Sequence, residues 1–245
     1  MNALAEGGFI AGARHAVLGL RLITRPGIRA YVIIPLLINI VLFTVALIAL
    51  GSALDFVVAN YLGNWPDWIK SVIWGLLALL SAVMVFFTFS IVANLVASPF
   101  NGMLAEAVER HLRPEMSAMS FSWKRFGADL WRTVRSELKK LIYIALRALP
   151  LLLLSVIPGL NAAAPLLWFM FGAWMLCLEY LDCPLSNHQQ FFPAVLTPMR
   201  ARRRLALGFG GTITLLTLIP VVNFIAMPIG VAGATALYCR HLSDS

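Results

Sequence analysis

Ile157-Pro158-Gly159-Leu160-Asn161, followed by Pro165, returns in altered form as Ile219-Pro220-Val221-Val222-Asn223, followed by Pro228. Each segment sits between two apolar arms, and neither carries a charge. A surface turn in a soluble protein is polar, because water must solvate the backbone groups it leaves free. An uncharged Pro/Asn turn between apolar arms instead suits a chain that reverses inside a bilayer or at its edge. Irregular backbone at that depth is tolerated only where protein buries it or it lines a wet cavity. Short, interrupted apolar segments in corresponding positions also point to a transporter's working site. The two hairpins cover residues 141–178 and 205–239, with arms of about 15–17 residues, at or below the ~17–25 of a full span. Both begin and end beside charged residues. They either span twice with tiny outer loops or dip in from the cytoplasmic side and turn back, and the short arms favour dipping.

Working outward, the composition excludes an ordinary soluble domain. Hydrophobic residues make up 60% of the 245, charged residues 12%, and the mean hydropathy is +0.85; soluble domains are about 45–50% apolar. Lipid must cover part of such a chain, so the reading is one integral membrane domain over 1–245 of all-α class. Residues 1–13 lack the ordered basic, apolar and small-residue regions of a cleaved signal peptide. The net charge of +8 falls in short blocks beside apolar segments. That is the positive-inside pattern, and it removes the case for nucleic acid as a partner. Cys177, Cys183 and Cys239 show no CxxC spacing and read as free thiols facing a reducing cytoplasm.

Residues 2–23 mix apolar side chains with Glu6, Arg14, His15 and Arg21 and read as an amphipathic interfacial helix. Long helices are expected at 30–62 and 69–105. From Ala30 to Leu54 no residue is charged, and such a helix reaches ~37 Å, enough to span. Between them, Gly63-Asn64-Trp65-Pro66-Asp67-Trp68 forms a turn with two interfacial tryptophans. Residues 106–140 are rich in charge and read as an aqueous helical region. Basic residues there, at 14–29 and at 200–204 place both termini and the 179–204 segment in the cytoplasm and the 63–68 turn outside. Pro150, Pro165 and Pro228 are expected to kink or cap the hairpin arms.

Several ordered stretches carry a resemblance. They are Arg25-Pro26-Gly27-Ile28-Arg29 with Ile34-Pro35-Leu36-Leu37-Ile38-Asn39, then Ala97-Ser98-Pro99-Phe100-Asn101-Gly102-Met103-Leu104-Ala105-Glu106. Ile157-Pro158-Gly159, Trp168 through Met175, Asn187-His188 and Ile219-Pro220 through Pro228 follow in the same order. Over residues 16–240 the chain resembles the CysZ family of bacterial inner-membrane sulfate transporters. The resemblance implies sulfate uptake for cysteine synthesis, two long helices with two partly penetrating hairpins, and self-association as a homo-oligomer in the inner membrane.

The first candidate site is Arg25–Arg29. Pro26 suits a first helical position, and Gly27 lets the backbone approach a ligand. Free N–H groups of Gly27, Ile28 and Arg29, at the positive end of a helix dipole, would receive a divalent oxyanion, with Arg25 and Arg29 adding guanidinium donors. Taken alone, the residues fit equally a topology signal joined to a Pro-Gly linker. The resemblance implies sulfate at this Gly-aliphatic-Arg motif, although Ala30 stands where some relatives carry a second basic residue.

A second candidate is the polar row Asn94, Ser98, Asn101 and Glu106. The first three share a helix face and would form either a wet path or a helix–helix hydrogen-bond seam. Arg147, alone in an apolar arm, is either functional or snorkelling, with Glu179 and Asp182 as expected partners. Asn161 and Asn223 would cap the returning arms or line a path. His111 and His188 read as ordinary surface histidines; no metal ligand set and no cofactor is expected.

The function classes then separate. No GxxxxGK[ST] phosphate loop is present, which argues against direct use of ATP. The paired Asp, Ser/His or clustered His motifs of membrane enzymes are also missing, so the chain reads as no enzyme. The resemblance implies proton dependence, yet Asp55, Glu106, Glu179 and Asp182 all stand at segment ends, which suits an uncoupled conduit equally. A scaffold of sulfur assimilation is the remaining alternative.

Overall fold

The computed structural model describes residues 8–62, 65–115 and 123–242. Regular structure there is helical: α1 Phe9–Ile23, α2 Ala30–Tyr61, α3 Asp67–Leu112 and α4 Trp123–Val156. A 3-10 turn, Asn161–Ala163, leads into α5 Ala164–Asn187, followed by α6 Leu196–Ala201, α7 Arg203–Thr217, α8 Pro220–Leu237 and a π-helical turn, Tyr238–Leu242. Ala30–Tyr61, Asp67–Phe89, Asn161–Asn187 and Val222–Leu242 are long and apolar enough to cross a membrane. This is an all-α membrane protein. Residues 2–7 of the expected first helix, Gly63 and Asn64 of the expected outer turn, and 116–122 of the charged region lie outside the described residues.

The chain forms two compact units, Ile33–Phe100 and Met1–Val32 with Asn101–Ser245. Within Ile33–Phe100, Leu, Ile, Val and Phe side chains are exposed along most of both helical segments. Contact between them runs through large side chains: the Phe43 and Phe89 rings lie 4.9 Å apart, and Trp74 Nε1 donates to Asp55 Oδ1 at 3.4 Å. Thr44 and Ser52 hydroxyls donate to carbonyls one turn back, so these polar groups need no water.

The other unit is built on close backbone approach. Helix α1 buries a face of small residues and imidazole, Ala11, Gly12, His15, Ala16 and Gly19, against α7 and α8. A Cβ on Gly12 would meet the Leu205 carbonyl, and one on Gly208 the Phe9 carbonyl. Gly19 likewise abuts the Ile229 carbonyl and Gly233. Such contacts are open only to residues without side chains. The α1 helix is therefore docked into protein through its small face, while Phe9, Ile10, Val17 and Leu20 stay exposed.

Some boundaries differ from the sequence reading. Helix α3 runs past 105 to Leu112, because the good helix formers from Leu104 to Arg110 contain no breaker. Helix α4 is continuous through 140 and 141 and does not end at Pro150. None of the three cysteines forms a disulfide, and Cys177 and Cys239 are buried in protein and do not face an aqueous compartment. Helices α7 and α8, of 15 and 18 residues, are roughly 22 and 27 Å long, short of the ~30 Å hydrocarbon thickness.

Candidate functional site

The Arg25–Arg29 segment is a tight turn. Gly27 takes φ +87°, the left-handed value that follows Pro in a type II turn. That geometry brings the Ile28 N–H to the Arg25 carbonyl at 3.1 Å and the Arg29 N–H to the same oxygen at 3.0 Å. Two of the three N–H groups expected to be free are thus satisfied inside the turn. The Gly27 N–H has no acceptor among the described residues, and Gly27 is exposed. Ile28 is 3% exposed and anchors the turn in the core. Arg29 is exposed and has no ion-pair partner among the described residues. Arg25 Nη1 lies 3.1 Å from His111 Nε2; since a guanidinium only donates, this imidazole nitrogen accepts. His111 therefore ties the turn to the last turn of α3.

The final turns of α3 are fastened from the other side by the end of α5. Asn187 Nδ2 donates to the Gly102 carbonyl at 2.9 Å, and His188 Nε2 donates to Glu109 Oε1 at 2.7 Å. Glu109 is fully buried, its Oε2 has no hydrogen-bond partner among the described residues, and the His188 ring lies 5.4 Å from Tyr238. Neither was expected: His188 is no surface histidine, and Glu109 belongs to no predicted site. A signal was present, since Glu109 follows Ala105 by one turn on the apolar face of Leu104, Ala105 and Val108.

Ser98 is exposed, Asn101 Nδ2 lies 3.6 Å from Met227 Sδ, and Glu106 pairs with Arg110 at 2.7 Å. The Asn94 side chain lies outside the described structure. The contact at Asn101 is of the seam kind. Asn161 opens the 3-10 turn and Asn223 sits in the first turn of α8; both are exposed, and neither the turn nor α5 nor α8 has a side-chain cap. Their expected capping role is corrected, because Pro220 and the main chain begin these helices.

Arg147 does not meet Glu179 or Asp182. Its guanidinium carbon stands 4.3 Å over the Tyr143 ring, one turn back, and the Tyr143 hydroxyl accepts from Trp174 Nε1 at 3.0 Å. The two carboxylates instead join Glu137 around Lys140, at 2.9 Å for Glu137 and Glu179 and 3.1 Å for Asp182. Burial alone would lower the Lys140 pKa, but the charges of Asp182 and Glu179 and hydrogen bonds to Glu137 and Glu179 hold it above the usual lysine range. On α1, burial pushes the His15 pKa below its ordinary value. His241 and Arg240 push the same way, against the bond from Nδ1 to the Ala11 carbonyl at 2.7 Å.

Comparison with known proteins adds a family. The family model described as "Sulfate transporter CysZ/Etoposide-induced protein 2.4" matches residues 16–228. A protein of Pseudomonas paraeruginosa named sulfate transporter CysZ is 41% identical over 235 residues, 95% of this chain and 96% of the relative. Proteins of the same name from Pseudomonas fluorescens and Vibrio cholerae are each 40% identical, over 95% and 90% of this chain and 94% and 89% of theirs.

Proposed function

This chain belongs to the sulfate transporter CysZ/etoposide-induced protein 2.4 family, and from that premise we propose that it carries sulfate across the bacterial inner membrane. The observation that carries the reading is the Arg25–Arg29 turn, where exposed Gly27, whose N–H has no acceptor among the described residues, and exposed Arg29 flank the buried Ile28 anchor. Sulfate is a strongly hydrated dianion. A transport site must replace part of its shell with donors and still release it, which favours a few fixed donors over a cluster of cations. Arg25 contributes from one remove, because its guanidinium also holds His111.

On this reading the protein supplies sulfur for cysteine synthesis, acts in the lipid bilayer as a homo-oligomer, and keeps both termini in the cytoplasm. Partial penetration belongs to the same reading for the second hairpin, whose helices have 15 and 18 residues. Uptake of labelled sulfate into proteoliposomes tests the proposal. Saturable uptake that Arg29→Ala lowers at least about tenfold, the worth of one charge-assisted contact, supports it. Acceleration by an imposed inward proton gradient would add coupling, and indifference to the gradient would make the path an uncoupled conduit. No uptake above empty liposomes by folded, inserted protein would overturn transport and leave a scaffold role.

A further inference from the structure

Helix α4 has an outward face that the sulfate reading does not use. Trp131, Val134, Leu138 and Leu141, spaced three, four and three apart, are 74%, 41%, 55% and 59% exposed. The stripe continues through Leu149 to Val156 in the apolar half of the same helix. At 100° per residue, Arg135 and Lys139 lie along one edge of the stripe, roughly 40–80° from Trp131. Both are exposed, while Arg132 beside them donates to Gln189 Oε1 at 3.3 Å. Glu137, the one carboxylate between Trp131 and Leu141, points to the other side and bonds Lys140. The rotation of α4 is fixed by its opposite face: Ser136 is buried and accepts the Phe192 N–H at 3.0 Å, and Lys140 is buried among its carboxylates.

At 34 residues α4 is roughly 51 Å long, well beyond the ~30 Å of a hydrocarbon layer. Standing upright, it would hold the Trp131–Leu141 stripe in water. Lying obliquely, it keeps the whole stripe on acyl chains and sets the basic edge at headgroup depth, with Trp131 in the interfacial belt. We propose that residues 131–141 of α4 form an in-plane surface for anionic phospholipid, with the apolar stripe on the chains and Arg135 and Lys139 on headgroup phosphates. Continuity with the exposed apolar half of α4 and the pair of exposed cations beside the stripe, Arg135 and Lys139, select anionic lipid as the occupant. The proposal stands apart from the sulfate reading and is measured without transport.

The test uses the full chain in phosphatidylcholine vesicles containing phosphatidylglycerol, with bromine on the acyl chains of one lipid or the other. The Trp131 signal is the fluorescence difference between wild type and Trp131→Phe. Brominated phosphatidylglycerol should quench it far more than brominated phosphatidylcholine at equal mole fraction. Two basic residues correspond to an enrichment of roughly tenfold or more. The excess should vanish in Arg135→Gln/Lys139→Gln and weaken in high salt, while quenching by phosphatidylcholine persists. Equal quenching by both lipids, unchanged in the charge variant, would overturn the headgroup preference. No quenching by either would overturn the lipid contact altogether, and copy-to-copy cross-linking of Leu138→Cys would then assign the face to a second copy of the chain.

Discussion

The most apolar window of Asp67–Phe89 buries none of its residues, whereas that of Val222–Leu242 buries 67%. Both are helical and both are apolar enough to cross a membrane. What separates them is side-chain size. The first presents Trp74, Leu79, Leu80, Phe86 and Phe87 outward, while the second is punctuated by Ala226, Gly230, Gly233, Ala234 and Ala236. Bulky side chains leave a helix facing lipid, and small ones let another backbone reach it. Hydropathy therefore says only that a helix avoids water, and residue size decides whether lipid or protein takes water's place.

The sharpest break of this contrast is steric. Gly19→Leu or Gly208→Leu drives a side chain into the backbone of a neighbouring helix and should cost more than about 4 kcal/mol, abolishing monodisperse protein in detergent. Gly51→Leu and Gly75→Leu meet nothing within 4 Å and should shift the melt by less than about 0.5 kcal/mol. Equal shifts in both pairs would end the distinction.

Charge comes next. Glu109→Ala removes one partner of a buried pair and should cost about 3–5 kcal/mol in a thermal melt. Asp55→Ala, losing an exposed acceptor of Trp74, should cost under about 1 kcal/mol. Lys140→Met leaves three carboxylates without their shared ammonium and should cost about 2–4 kcal/mol near neutral pH. In the wild type the raised Lys140 pKa contributes stability that is complete below the ordinary lysine range and lost only as pH rises through the folded value. Lys70→Met, at an exposed pair with Asp67, should leave the melt unchanged.

The smallest effect belongs to His15. Its lowered pKa means that the unfolded chain binds the proton more readily, so stability is complete above about pH 6.5 and declines as the pH falls below it. His15→Gln should flatten that decline. A melt of the wild type that stays level from pH 7 to 5 would remove His15 from the docking of α1.

Much of this was legible one segment at a time. The uncharged run from Ala30 to Leu54 and the Pro/Asn tips announce membrane helices, since each residue's transfer cost is nearly independent of its distant neighbours. Pro26-Gly27 announces a turn, because only glycine adopts that φ without strain. The same local reasoning left three N–H groups free at that turn, whereas turn closure takes two of them. It also gave Glu179 and Asp182 to Arg147, ten residues before the tip at Ile157, when the fold delivers them to Lys140.

Which segments leave water, where the chain turns and the family to which it belongs are all readable from the order of residues alone. Those properties follow from local transfer energies, from φ preferences and from the order of motifs. Only the tertiary structure decided that α1 docks on glycines of α7 and α8, that Glu109 is sealed against His188, and that Lys140 gathers three carboxylates. Each of these joins residues tens of positions apart or more, or depends on which face of a helix meets another backbone. Such pairings are set by packing, and no local pattern of charge or hydropathy encodes them.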